Sequence, residues 1–389
     1  MDSIPPSSDP DADAQPTAEL DSGALDSPPI GRISPEPLAL EEREVPVEFH
    51  GTGSEYFKIW IVNTALTILT LGIFSAWAKV RSRRYFYGNT RIEGSSFEYL
   101  ARPRQILPGR IIAGIVLIAV AITSQFSLLA NAFLFLVLFL VTPWILVKAL
   151  RFNARYSAFR NVRFAFRGTT EDSYGIYFGL ALLSMISLGI AVPYTERRAR
   201  SWLFSSHRYG NQEFRDALTD GPVYAIYFKM AGLGLLVTVP AFIAIAMFFG
   251  ATFRQTEGGE PPTTGVAVML FAVYALALLA GLFLSAFQRA NVTNLLFNGG
   301  QLGQLVGFRS TMRTGPYFGL LLGYLLLTLL TLGLAYPWMR VALARYRAET
   351  LVLRMRGTLD AVVDEAMGSG SAIADQLAEG LDIDIDLGI

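Results

Sequence analysis

Seven apolar stretches dominate the chain, near 56–77, 107–124, 128–147, 174–194, 222–249, 264–287 and 315–338. At about 1.5 Å per residue, most are long enough to cross a hydrocarbon core about 30 Å thick as helices. Only TSQFS separates the second from the third, and a mostly polar segment from Ala251 to Gly265 separates the fifth from the sixth. These two pairs predict transmembrane hairpins. Polar sequence is concentrated before residue 45, after residue 357 and in the connectors.

The other three stretches resemble one another. They contain LTILTLGIFSAW, LLSMISLGIAVPY and LLTLLTLGLAYPW, so that Gly72, Gly189 and Gly333 each precede an aromatic residue (Trp77, Tyr194, Trp338) by the same spacing. Arg84-Tyr85 follows Trp77 at the offset by which Arg345-Tyr346 follows Trp338, and Arg151-Phe152 follows Trp144 in the same way. Counting equally far from Trp77, Trp144 and Tyr194 reaches Phe97, Phe164 and Phe214. This agreement marks an internal threefold repeat of an LG-x4-(W/Y) membrane segment. A glycine there permits either a left-handed turn or a close backbone approach, and Pro193 and Pro337 then block continuation of a preceding helix. Short alternating runs predict strands over Val45–His50, Arg91–Tyr99, Val162–Arg167 and Leu305–Arg309. The expected fold is an all-α polytopic membrane protein with short cytoplasmic β-strands.

The run from Tyr56 to Tyr99, YFKIWIVNTALTILTLGIFSAWAKVRSRRYFYGNTRIEGSSFEY, closely resembles the YjgN family of bacterial inner-membrane proteins, whose function is unknown. The resemblance extends over about residues 47–356 and weakens in the later connectors. It implies location in the bacterial inner membrane and brings no catalytic or binding residues.

Composition agrees with a membrane protein: 52% of residues are hydrophobic and 16% charged, against about 25% charged in soluble domains. With no cysteine and only His50 and His207, thiolate chemistry, iron–sulfur clusters and histidine-rich metal sites lack ligands. No cofactor or metal site is expected, and no nucleophile–base constellation points to an enzyme. The zero net charge divides into −10 over residues 1–48, +18 over 49–357 and −8 over 358–389. Residues 1–44, rich in proline and acid, read as a disordered tail, 45–357 as the membrane domain and 358–389 as a solvated acidic tail.

Basic residues near membrane segments stay cytoplasmic. If the three repeated segments enter and return without crossing, 27 flanking Lys and Arg lie on one face and one (Arg254) on the other. Seven crossings would divide the same residues 20 to 8. The half-inserted arrangement, with both tails cytoplasmic, is therefore preferred.

Candidate chemistry is sparse. The hydroxyl pairs Thr67/Thr70, Ser184/Ser187 and Thr328/Thr331 each share a helix face and are the candidate lining of a polar path. Their ordinary role is bonding to a carbonyl one turn back. Arg81, Arg83, Arg84, Arg151, Arg197, Arg198 and Arg345 are candidate contacts for anionic lipid headgroups, while Trp77, Trp144 and Trp338 suit the membrane interface. Two functions follow as expectations. One is a transport-type protein with three repeats around a path for a small solute or lipid. The other is a non-transporting scaffold or sensor that binds anionic lipid through its basic connectors. The acidic tails are candidate surfaces for a protein partner, and no nucleic acid is expected.

Overall fold

Ten short antiparallel strands close into a barrel, and five helical hairpins rise from one of its rims. The computed structural model describes residues 42–255 and 263–368. The strands are β1 (Glu42–Phe49), β2 (Thr90–Ile92), β3 (Ser95–Tyr99), β4 (Ser157–Phe159), β5 (Val162–Phe166), β6 (His207–Tyr209), β7 (Gln212–Arg215), β8 (Gln301–Leu302), β9 (Val306–Ser310) and β10 (Leu351–Arg356). Each pairs with its sequence neighbours, and β1 closes the ring against β10. The expectation of an all-α fold with a few strands is therefore wrong. The strands predicted over Val45–His50, Val162–Arg167 and Leu305–Arg309 are present as β1, β5 and β9, whereas Arg91–Tyr99 is divided by a turn at Glu93-Gly94 into the antiparallel pair β2 and β3. β4, β6 and β8 are only two or three residues long, too short to show alternation in sequence. Closure removes the edges that such short strands would otherwise expose.

One layer of the barrel core consists of five equivalent pairs. Val47–Ile92, Phe97–Phe159, Phe164–Tyr209, Phe214–Leu302 and Phe308–Leu353 are directly opposed across successive strand pairs. All ten side chains belong to, or pack against, the same apolar core. Phe97 stacks on Phe164, and Phe214 on Phe308, with ring centroids 6.4 and 6.1 Å apart. From β1 to β10 the described residues thus form five strand–hairpin–strand units. The threefold repeat seen in the sequence accounts for the three units whose hairpins turn at Leu-Gly.

Those three are the short hairpins. The first runs through α1 (Gly53–Leu69) and α2 (Ser75–Asn89). The third runs through α5 (Thr170–Tyr174), a π-helical stretch Gly175–Leu180, α6 (Ala181–Ile186) and α7 (Val192–Ser205). The fifth runs through α10 (Thr314–Leu330) and α11 (Tyr336–Glu349). Their outgoing limbs are 17 residues, about 26 Å. The second and fourth hairpins are long: α3 (Pro103–Phe126) with α4 (Leu128–Arg155), and α8 (Asp220–Gln255) with α9 (Thr263–Asn298). At about 36–54 Å these four helices are long and apolar enough to cross a bilayer. Neighbouring hairpins pack limb to limb all the way round, α11 against α1 included, so the limbs form a closed ring above the barrel.

At the opposite end lies α12 (Leu359–Met367), within the segment read from sequence as a solvated tail. Its Leu359, Val362, Val363 and Ala366 are buried in the barrel core. Gly210, at φ +54°, makes room for it: a Cβ there would sit 2.1 Å from the Ala366 carbonyl oxygen. The Asn211 amide donates to that same oxygen at 2.8 Å. The remainder of both tails lies outside the described residues.

Candidate functional site at the barrel mouth

The Leu-Gly turns are the same structure three times. Leu71, Leu188 and Leu332 have φ near +50°, and Gly72, Gly189 and Gly333 have φ +93°, +90° and +93°. The glycine amide donates back to Thr67, Ser184 or Thr328 O at 2.7–2.8 Å, satisfying a carbonyl at the helix end. The hydroxyls of Thr70, Ser187 and Thr331 accept from the amides of Phe74, Ala191 and Ala335 at 2.9–3.0 Å, capping the return limb.

Those hydroxyls are half of the candidate polar path, and they are used locally. Thr67 donates to Asn63 O, and Ser184 is shared between Leu180 O and Thr195. The Thr328 hydroxyl and both amide atoms of Asn63 are buried without a partner among the described residues. No described hydrogen bond joins one hydroxyl pair to another.

The arginines of the connectors also have defined tasks. Arg84 donates to Ala101 O at 3.0 Å, Arg151 to Gly168 O at 3.1 Å and Arg345 to Gly51 O at 3.0 Å. Each guanidinium grips the backbone that opens the next unit, and Arg345 closes the circle from the fifth unit to the first. Tyr85 and Tyr346 complement them by bonding both backbone groups of Thr52 and Arg313 at the start of their own hairpins. Arg197 pairs with Asp220, and Arg81 lies over the Phe74 ring. No contact is described for Arg198. Of the tryptophans, Trp77 packs against the cluster around Ala76 and Val80, while Trp338 lies tilted against Phe57 with centroids 5.0 Å apart. Trp144 follows Pro143 inside α4.

Where the ring meets the barrel there is a cavity of about 410 Å³, lined by Phe86, Tyr87, Thr90, Phe97, Asn153, Ala154, Ser157, Phe164 and His207. Its walls are aromatic with a few oriented polar groups, the usual make-up of a small-ligand site. Tyr87 and Ser157 hydroxyls are 3.0 Å apart, and Ser157 donates to Asn153 O. Arg83 donates to Asn153 Oδ1 and, at 3.1 Å, to the Tyr99 hydroxyl. His207 Nδ1 lies 2.6 Å from Leu203 O. Burial pushes the His207 pKa below the ordinary 6.5, so the ring is neutral at pH 7 and donates from Nδ1. Above Phe86 sits Arg340, 5.3 Å from the ring centroid and bonded to the Tyr336 hydroxyl at 2.9 Å. It has no carboxylate partner among the described residues.

The sequence brought Arg83 to notice but missed Phe86, Asn153, His207 and Arg340 as neighbours. They lie on four different units, and only closure of the barrel brings them together. The offset from Trp77 to Asn89 that recurs from Trp144 to Tyr156 and Tyr194 to Ser206 was the available signal. It places Thr90, Ser157 and His207 at one level, where each opens an even-numbered strand.

The family described as "Bacterial protein of unknown function (DUF898)" matches residues 44–380. Inner membrane protein YjgN of Salmonella typhimurium is 24% identical over 358 residues, covering 81% of this chain and 89% of that protein. YjgN of Escherichia coli O157:H7 is also 24% identical, over 371 residues, with 81% and 90% covered. YjgN of Escherichia coli K12 is 31% identical over 154 residues, 39% of each chain. No solved structure matches. With four bilayer-length helices and a family match over most of its length, the chain belongs to the DUF898 family, that of the bacterial inner membrane protein YjgN, whose function is unknown.

Proposed function

We propose that this chain is a non-transporting inner-membrane protein that holds anionic lipid at the ring side of its barrel, with the barrel and both termini in the cytoplasm. One observation carries the reading: the barrel axis is filled by the ten-residue layer and the far end is covered by α12. A solute path along the axis would have to displace Phe97, Phe164, Phe214 and Phe308 together. Of the candidate path hydroxyls, those of Thr70, Ser187 and Thr331 cap their own turns, and no described hydrogen bond links one pair to another to form a continuous polar lining. By contrast, the mouth offers an aromatic cavity beside cations that lack carboxylates, a combination suited to an anionic amphiphile. The cytoplasmic placement rests on the excess of Lys and Arg in the segments flanking the rim.

Mass spectrometry of lipids retained by the detergent-purified full chain tests this reading. Enrichment of anionic phospholipid over its share of the source membrane is expected. Retained lipid of the same composition as the bulk membrane would reject it, as would solute uptake by reconstituted vesicles above that of empty ones.

A further inference from the structure

We propose that Lys79, Arg83 and Arg110 form a binding site for the phosphate of an anionic phospholipid headgroup from the leaflet on the barrel side. The proposal rests on the lipid-binding reading and gives it a location. Lys79 and Arg83 are four residues apart on α2 and share a face. Arg110 lies on α3, which packs against α2. Arg83 is fixed from three sides, by Asn153, by the Tyr99 hydroxyl and by the Tyr99 ring 5.0 Å from its guanidinium carbon.

Among the described residues no carboxylate forms an ion pair with any of the three. Other basic residues do have such partners: Arg43 pairs with Glu93, Arg160 with Asp360, Arg197 with Asp220 and Arg309 with Glu44. α2 is not one of the four bilayer-length helices. There the Lys79 pKa is pushed down to about 8, first by burial and then by repulsion from Arg83 and Arg110. A half-buried ammonium beside two guanidiniums works against folding, since no carboxylate among the described residues offsets the repulsion.

An anion entering between them removes that penalty. A phosphodiester offers two unesterified oxygens, enough to accept from an arginine fork and an ammonium at once. The surroundings match a headgroup that carries acyl chains. Trp77, two residues before Lys79, is of the type that rests at headgroup level. From Arg110 onward α3 continues with exposed Ile111, Ile115 and Ile118, an apolar surface along which chains can lie. Inorganic phosphate presents the same oxygens without the chains.

The test is native mass spectrometry of the detergent-purified full chain titrated with phosphatidylglycerol, phosphatidylcholine or inorganic phosphate. Wild type is expected to bind phosphatidylglycerol at least tenfold more tightly than phosphatidylcholine. The double variant Lys79→Met/Arg110→Gln should lose most of that preference. Arg43→Gln/Arg356→Gln, which removes two charges at the far end of the barrel, should keep it.

Lys79→Met alone provides a second reading. Without lipid it should melt higher than wild type, because an uncompensated charge is gone, while its phosphatidylglycerol affinity falls. A lower melting temperature would make Lys79 a structural partner and overturn the site. So would a double variant that binds phosphatidylglycerol like wild type, although the broader lipid reading would survive. Absence of any preference in wild type would remove both. Inorganic phosphate binding as tightly as phosphatidylglycerol would overturn the lipid as the source of the phosphate.

Discussion

Replacing Gly333 and Gly323 by alanine in separate variants isolates backbone strain at the tip of the fifth hairpin. Gly333 has φ +93°, and a Cβ built on it meets no atom within 4 Å. Of the two roles a glycine there can play, the structure therefore selects the left-handed turn and not the close approach. The cost of a side chain is conformational, about 1–2 kcal/mol for an L-residue held in the left-handed region. Gly323 is inside α10, and its Cβ would also meet nothing within 4 Å. There alanine gains about 0.8–1 kcal/mol of helix propensity. The same added methyl group should thus destabilise at one site and stabilise at the other, a separation of about 2–3 kcal/mol. At about 2 °C per kcal/mol, thermal melts in detergent should differ by about 4–6 °C. Gly333→Asn should recover part of the loss, because asparagine tolerates this backbone region better. Shifts of the same sign at both positions, or no advantage of asparagine over alanine, would refute the argument. Gly72→Ala and Gly189→Ala should behave like Gly333→Ala.

Arg345→Lys should cost about 1.5–3 kcal/mol, since it breaks the charged hydrogen bond to Gly51 O that joins the last unit to the first; thermal unfolding measures it. His207 has a folded pKa below its unfolded 6.5, so the unfolded chain takes up the proton first and stability falls as pH drops below 6.5. Melts of wild type and His207→Gln between pH 7.5 and 5 should converge as the pH is lowered, and a constant gap would exclude this contribution. A cysteine at Ser205, at the rim end of α7, should be protected in intact cells from an impermeant thiol reagent added outside. The native chain has no cysteine to obscure the result.

The legible part of this fold was whatever repeats with chemical contrast. The Leu-Gly dipeptides, the Arg-Tyr pairs and Phe97, Phe164 and Phe214, at one offset from Trp77, Trp144 and Tyr194, all correspond to equivalent positions in space. The spacing that reached those phenylalanines runs from the return limb of one hairpin to the inward-facing residue on the first strand of the next unit. Five units read as three because the second and fourth hairpins turn without Leu-Gly. In the fourth, moreover, β8 is a two-residue strand with no motif around it. The barrel itself was hidden because its strands are held by neighbours on both sides, so none needs the length or alternation that would announce it. The lipid-contact arginines were assigned by charge alone. Arg84, Arg151 and Arg345 each bond a backbone carbonyl, a task that a count of positive residues cannot foresee. The Lys79–Arg83–Arg110 group had a signal, the i, i+4 spacing of the first two, but the third member comes from another helix.

Closure of the barrel constrains the route of the membrane segments more strongly than hydropathy does. Odd-numbered strands run toward the ring and even-numbered strands run away from it, so each connection between them must leave and return at the same rim. A single crossing by the first, third or fifth hairpin would bring the next strand in from the wrong side. The Leu-Gly turn is the local means of return, and it places Leu71, Leu188 and Leu332 at the tips, 93–95% exposed and in a strained backbone conformation. In water such a residue is an indifferent position, and Leu332→Lys would change stability by no more than about 0.5 kcal/mol. With Arg340, the counterpart of Lys79 on the fifth hairpin, at headgroup level, Leu332 eight residues nearer the turn lies about 12 Å deeper. On the half-inserted reading that depth is hydrocarbon, where lysine costs up to about 2.5–3.5 kcal/mol. Leu332→Lys should therefore lose far more stability in liposomes than Leu332→Ala. The two should draw together in detergent, where polar groups reach the tip. Equal losses in liposomes would mean that the tips do not reach the bilayer interior, and the half-inserted arrangement would fall with them.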